Sequence, residues 1–459
     1  MKTAEFSLAN PLAGVGGWPL DEPLVALVSC GEAVEWSRWS VLARPRGWVR
    51  ARMGASGAAV YDTVGDAPEI RGDPVDAIDR LLAWGRGRAG SGVFSGGWIG
   101  WISYDLGRWI EPTARSHASA AAAADREHPL WEFAWCPDAV VYDGVRRAWQ
   151  VVGEGVPGVG GAVERGYRVG ALAAEWPRAE YERGVERVIE HIRGGEAYQV
   201  NLAHRLAGSF QGSVRGWFEA SARRARPWFG AYLESGFEDG PTLASLSPEL
   251  FLSIEGGRLT TRPMKGTLPG GEPPEVLEDS AKDRAELAMI VDLARNDLGR
   301  VGEIGSIGVV EARRIERHAG ERSLWQGVAT VEGRLRTGVG MGEVLRATFP
   351  PGSVTGAPKI RAMRLIDEVE PVRRGAYCGC AGWLGVDGSA RLSVLIRTGV
   401  VQGERVAGRP GEFARARLDY SVGAGIVADS VPGREWEETL SKAGAVERIS
   451  GGEGCVTSK

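Results

Sequence analysis

The sequence predicts an α+β fold with antiparallel sheets, and three observations carry that expectation. Strand-like segments at residues 198–206, 251–262 and 392–401 are far apart along the chain. Amphipathic helices fall between them without the regular strand–helix alternation of a parallel sheet. The 459 residues are 43% hydrophobic and 25% charged, enough apolar material for one large or two medium cores.

The elements follow in order. The tryptophans of the first third, among them Trp98, Trp101 and Trp109, read as core aromatics at strand spacing. Residues 113–125 are Ala-rich and residues 153–166 are Gly/Val-rich, so both read as loops or linkers. A boundary near residue 170 gives an N-terminal region, 1–170, and a motif-dense region, 171–459. Residues 180–192 form a helix with Val185, Val188, Ile189 and Ile192 on one face, ended by Gly194-Gly195. A long helix spans 280–298, capped by Asp279 or Ser280. Pro358 suits the first turn of a helix running to Glu368, and residues 435–449 form a last helix.

Composition excludes several functions. The net charge is −4, so no basic excess exists for nucleic acid. No apolar run reaches the ~18 residues of a membrane span. Glu5 and the lack of an apolar core argue against a signal peptide. Five cysteines (Cys30, Cys136, Cys378, Cys380, Cys455) without zinc spacing point to a reduced, cytoplasmic protein. Of 55 basic residues only Lys2, Lys265, Lys282, Lys359, Lys442 and Lys459 are lysine. The four internal lysines are candidates for chemistry that an always-charged guanidinium cannot do. Lys282 and Lys442 lie on helices, where surface or pairing roles are expected.

Glu286 sits on the apolar face of its helix with Ile290 and Leu293, where a carboxylate needs a partner. Glu435 and Glu438, at i and i+3, project from one side of the last helix. Carboxylates without nearby His or Cys suit a hard cation such as Mg²⁺; salt bridging to arginine is the plainer reading. Residues 352–359 (GSVTGAPK) place small residues and Lys359 before a helix N-terminus, and Gly423-Ala-Gly425 offers a second exposed backbone, both suited to anions. Arg397 ends a strand-like run and can grip a carboxylate bidentately. Lys265 enters a Pro/Gly loop, and a desolvated lysine there can act as a nucleophile.

Taken together these segments resemble the chorismate-utilising enzymes: component I of aminodeoxychorismate and anthranilate synthases, and the isochorismate and salicylate synthases. The stretches that carry the resemblance are Tyr198-Gln-Val-Asn-Leu-Ala-His-Arg205, Ser247-Pro-Glu249, Arg262-Pro-Met-Lys-Gly-Thr267, residues 283–300, 349–371 and 377–382, Ile396-Arg-Thr398 and residues 423–430, with 96–106 earlier. The resemblance implies an anthranilate-synthase-component-I-like fold, with packed antiparallel sheets, helices outside and one buried chorismate site. It implies that Glu286 and Glu438, with Glu435 adjacent, hold Mg²⁺ against the ring carboxylate of chorismate. Tyr377, Arg397 and the Gly423–Gly425 backbone would bind the enolpyruvyl carboxylate, Thr355 and Gly356 would line the pocket, and Glu249 would protonate the departing 4-hydroxyl.

Two positions separate the siblings. Isochorismate and salicylate synthases place a base lysine where this chain has Gln199, which argues against water as nucleophile. Anthranilate synthases typically carry Ala where Lys265 precedes Gly266-Thr267, and Lys265 is the aminodeoxychorismate synthase signature. The resemblance therefore implies amination at C4 through a covalent Lys265 intermediate, on the way to p-aminobenzoate and folate. One departure is Gln326, where relatives place a His that helps the leaving hydroxyl; Gln donates a hydrogen bond but carries no proton. No segment reads as a glutaminase, so a separate glutamine amidotransferase subunit is the expected partner. The rival expectations are anthranilate synthase component I and a non-catalytic chorismate-binding regulatory subunit.

Overall fold

The computed structural model describes residues 10–447, apart from 33–34, 89–92, 115–123, 162–164 and 322. Most of the Ala-rich stretch, Cys455, the two terminal lysines and the end of the last helix beyond 447 lie outside the described residues. Two large antiparallel sheets face each other. The first runs, in spatial order, from Ala173–Ala174 through Gln199–Ser213, Arg409–Ile426, Thr398–Val406, Thr242–Ser247, Phe229–Leu233, Val25–Val28, Trp39–Arg44 and Asp138–Asp143 to Ala148–Val152. The second runs from Met264–Pro269 through Leu324–Arg334, Arg258–Arg262, Leu250–Glu255, Ala390–Val394, Cys380–Gly385, Gly97–Ile102, Trp131–Cys136 and Gly47–Met53 to Ala59–Gly65.

Strand alternation explains the layers. Val25 and Leu27 point into the space between the sheets, where they meet Ile99 and Trp101 of the second sheet. Ala26 and Val28 point the other way, under the helices Pro11–Gly17 and Val214–Ala225. In Gly97–Ile102, Trp98 and Ile102 face outward, toward the helices Asp76–Gly85, Ala281–Gly299 and Met341–Thr348. Both faces are covered, so every residue of that strand is buried. Three more helices, Arg178–Arg193, Lys359–Val369 and Pro432–Glu447, cover the end of the first sheet through Tyr181, Val185, Ile366 and Trp436. This is the predicted α+β class with helices outside. Among the described residues no helix is long and apolar enough to cross a membrane.

Three sequence expectations are corrected. Residues 251–262 are not one strand: Gly256 and Gly257, at φ +57 and +79, turn the chain into a hairpin. Residues 392–401 also break, because the chain leaves the second sheet after Val394 and enters the first at Thr398. Trp109 lies on the short helix Leu106–Ile110, not on a strand, and its indole N–H donates to Asp73 at 2.8 Å. The boundary at residue 170 divides neither sheet from the other, since both sheets take strands from both regions and Tyr167–Val169, just before it, pairs with Gln199–Ser213.

Candidate active site

The strands Gln199–Ser213 and Arg409–Ile426 pair with Asn201 opposite Gly425 and Ala203 opposite Gly423. That register brings two glycines under side chains from elsewhere. A Cβ at Gly425 would lie 2.5 Å from Gln199 Nε2 and 3.5 Å from Lys265 Nζ; one at Gly423 would lie 2.8 Å from the Tyr377 hydroxyl. The sequence therefore leaves out a side chain where Gln199, Lys265 and Tyr377 converge. Gly356, at φ +137, sits against the Gln199 carbonyl, and Thr355 is fully buried with its carbonyl accepting from Asn201 N–H at 2.9 Å.

Lys265 comes from the other sheet, on Met264–Pro269, paired with Leu324–Arg334 so that Lys265 faces Gly327 and Thr267 faces Gln326. Lys265 thus lies on a paired strand and not in the expected Pro/Gly loop, and Gly266, at φ +80, leaves room for Leu277 and Asp283, so the first turn of Ala281–Gly299 rests on that strand beside Lys265. Ser280 caps that helix, accepting from Asp283 N–H at 3.2 Å. One turn on, Glu286 accepts from Gln199 Nε2 at 3.1 Å and lies 3.9 Å from Lys282. Burial holds the Lys265 ammonium below its usual range, and Glu286 pulls it part of the way back. Burial likewise raises Glu286, against the pull of Lys265 and Lys282.

Glu249 precedes the strand Leu250–Glu255 and is buried. Burial raises its carboxyl from 4.5 to about 7, against the lowering effect of Ser353, which donates to Oε1 at 2.5 Å, and of Lys265. A carboxyl with a pKa near neutrality is suited to give up a proton. Glu435 and Glu438 stand on Pro432–Glu447. Burial raises Glu435; for Glu438 burial is outweighed by Lys442, whose Nζ lies 2.8 Å from Glu438 and also donates to the Gly423 carbonyl at 2.8 Å. Among the described residues no three His, Cys, Asp or Glu side chains converge tightly enough to hold a metal. The carboxylates are held by Gln199, Lys282 and Lys442. The donor set is all oxygen, two of its members are raised by burial that their neighbours only partly offset, and Gln199 Oε1 is buried without a partner. Those features fit a hard cation with oxygen ligands.

Two candidates are not brought into this cluster. Arg397, at φ 52 on the crossing between the sheets, lines a separate small cavity with Trp217, Leu246 and Tyr420. Lys359 does not serve the glycine loop. It pairs with Asp297 at 2.6 Å and donates to the Thr348 carbonyl at 2.8 Å. Sequence reasoning also missed the buried pair Glu370–Arg374. Arg374 donates to both Glu370 oxygens and to the Val354 carbonyl at 3.0 Å, while Glu370 accepts from Ala203 N–H at 2.9 Å. Its only local signal is a Glu and an Arg four apart beyond the helix end, and nothing nearby in the sequence announces the Val354 carbonyl or the Ala203 amide.

The model of the chorismate binding enzyme family matches residues 44–448. The chain belongs to this family. As a chorismate-binding enzyme it is 37% identical over 369 residues to aminodeoxychorismate synthase component 1 of Salmonella typhimurium, covering 77% of this chain and 76% of that one. It is 33% identical over 416 residues to anthranilate synthase component 1 of Thermus thermophilus, covering 84% of each. The crystal structure of anthranilate synthase component I from Streptococcus pneumoniae superposes with a TM-score of 0.73 at 25% identity, over 89% of this chain and 92% of that one. The family membership agrees with the expectation from the motifs, and this chain is a chorismate-utilising enzyme.

Proposed function

We propose that this chain aminates chorismate at C4, giving 4-amino-4-deoxychorismate for p-aminobenzoate and folate synthesis. The observation that carries the reading is Lys265: a lysine with a lowered pKa, beside Gln199 and the Gly425 backbone, with acidic Glu249 nearby. Relatives named aminodeoxychorismate synthase component 1 support it.

The neutral Lys265 amine bonds to C2 of chorismate as the C4–O bond breaks, and the Glu249 proton leaves with that oxygen as water. Ammonia then forms the C4–N bond as the C2–N bond to Lys265 breaks. Lysine returns neutral, the product carries an ammonium group and Glu249 is left as carboxylate. Splitting one substitution into two covalent steps lowers each barrier. Gln199 holds no base to activate water. Tyr377 and the Gly423–Gly425 backbone receive the enolpyruvyl carboxylate and Thr355, Gly356 and Thr267 line the pocket, whereas Arg397, in the separate Tyr420 cavity, is supported for the carboxylate by its motif alone. Glu286, Glu435 and Glu438 would hold Mg²⁺, which when bound supplies positive charge for the ring carboxylate. A separate cytoplasmic glutamine amidotransferase subunit supplies the ammonia.

The test is a product assay with purified protein, chorismate, Mg²⁺ and an ammonium salt, with and without aminodeoxychorismate lyase. p-Aminobenzoate only with the lyase, and nothing without Mg²⁺, is expected. Anthranilate fluorescence without the lyase would assign the chain to the tryptophan branch.

A further inference from the structure

Glu249 has a second face. A narrow cleft with about 30 Å³ of room for water lies between the helix Ala281–Gly299 and the second sheet, and Glu249 is in its wall. Lys265, Gln199, Tyr377 and Gly425 do not line it. Ser353, which donates to Glu249 Oε1, lines the cleft as well. Thr348 and Asp297 also line it, the latter fixed by Lys359 at 2.6 Å with 11% of its side chain exposed. Such a cleft offers water both room and polar partners.

The proposed reaction leaves Glu249 one proton short after each turnover. Its other side is then filled by substrate or product. We propose that Glu249 is reprotonated from solvent through this cleft, with the Ser353 hydroxyl as the relay and the Asp297–Lys359 pair fixing part of the wall. The serine hydroxyl gives its proton to the Glu249 carboxylate and takes one from cleft water, since it both donates and accepts. The product ammonium loses its own proton to solvent after release, so the balance closes without a further reactant. The inference rests on the reading of Glu249 as the acid, and it gives Lys359, fully engaged away from the glycine loop, a place beside the route through its pair with Asp297.

The first turnover uses the proton already on Glu249, whereas later turnovers need the route. In rapid-quench experiments with ammonia and Mg²⁺, Ala294→Leu, which fills the cleft from the helix, should leave the first turnover at the wild-type rate. Steady-state kcat should fall about tenfold, less than the ~10²–10⁴ lost when a positioned proton donor is removed altogether. KM for chorismate should not move, and the solvent deuterium isotope effect on kcat should rise. Ser353→Ala, which also removes a hydrogen bond from Glu249, should slow later turnovers more than the first, and Ser353→Thr should restore the rate. An unchanged kcat in Ala294→Leu and Ser353→Ala would mean that product resets the acid and would overturn the route. Equal slowing of first and later turnovers would also overturn it, by showing that Glu249 had merely been displaced. Glu249→Gln separates the two layers: it should lose the first turnover as well, and if it keeps it, the acid assignment itself fails.

Discussion

Arg374 clasps Glu370 with two nitrogens, at 2.6 and 3.0 Å, in a buried pair that also ties down the Val354 carbonyl and the Ala203 amide. The pair thus joins the strand of Gln199 to the loop of Thr355 and to the turn that carries Tyr377. Removing one partner leaves an uncompensated charge. Glu370→Leu alone should cost about 3–5 kcal/mol in denaturant unfolding. The double variant Glu370→Leu/Arg374→Met should recover part of that loss. If the single variant unfolds at the wild-type midpoint, the pair does not organise the pocket.

Lys265→Ala should abolish 4-amino-4-deoxychorismate formation, and Lys265→Arg should not restore it, because a guanidinium forms no such adduct. Intact-protein mass spectrometry after mixing wild type with chorismate, in the absence of ammonia, should find a lysine adduct that both variants lack. A fully active Lys265→Arg would end the nucleophile assignment.

Glu249 acts in its protonated form, and its carboxyl is raised to about 7. On the limb set by this group, kcat/KM should fall as pH rises through about 7. Glu249→Gln should remove that limb and lower kcat by about 10²–10⁴. A limb that persists in Glu249→Gln belongs to another group.

Glu132 tests burial apart from catalysis. Burial raises it from 4.5 to about 7, and its Oε2 is without a partner. The folded state then keeps a proton that the unfolded state has lost. Stability should therefore fall as pH rises from about 4.5 to 7, by on the order of 3 kcal/mol from this group. Glu132→Gln should flatten that part of the stability–pH curve; an unchanged slope would mean that other groups set it.

Gly425→Ala would put a Cβ 2.5 Å from Gln199 Nε2. Chorismate turnover should collapse while the thermal midpoint stays near wild type. A variant with normal KM and kcat would show that the gap beside Lys265 is not part of the pocket.

The sequence made the helices legible where a cap and a 3.6-residue period coincide, as at Ser280 and at Val185–Val188–Ile192. It made Lys265, Glu249 and Glu286 visible through motifs, although only folding brings two sheets and a helix together around them. What it hid depends on long-range partners. An apolar run through Leu392–Leu395 and Val400–Val401 reads the same whether the strand continues or changes sheets, because both flanks are buried. Lys359 looked like an anion ligand because nothing local announces Asp297, 62 residues away. The hairpin at Gly256-Gly257 was within reach, since two adjacent glycines already mark a turn.

Each sheet also has a seam. In one, Val25–Val28 pairs with Phe229–Leu233; in the other, Gly97–Ile102 pairs with Cys380–Gly385. All the candidate site residues lie on the C-terminal side of both seams, yet neither half has a finished sheet without the other. A gene broken at codon 170 would make two polypeptides, each with raw strand edges prone to self-association. Recombination between relatives at that boundary would succeed only where the donor matches both seams and the pairing of Tyr167–Val169 with Gln199–Ser213. The first 170 residues are thus inherited with the catalytic region as one unit.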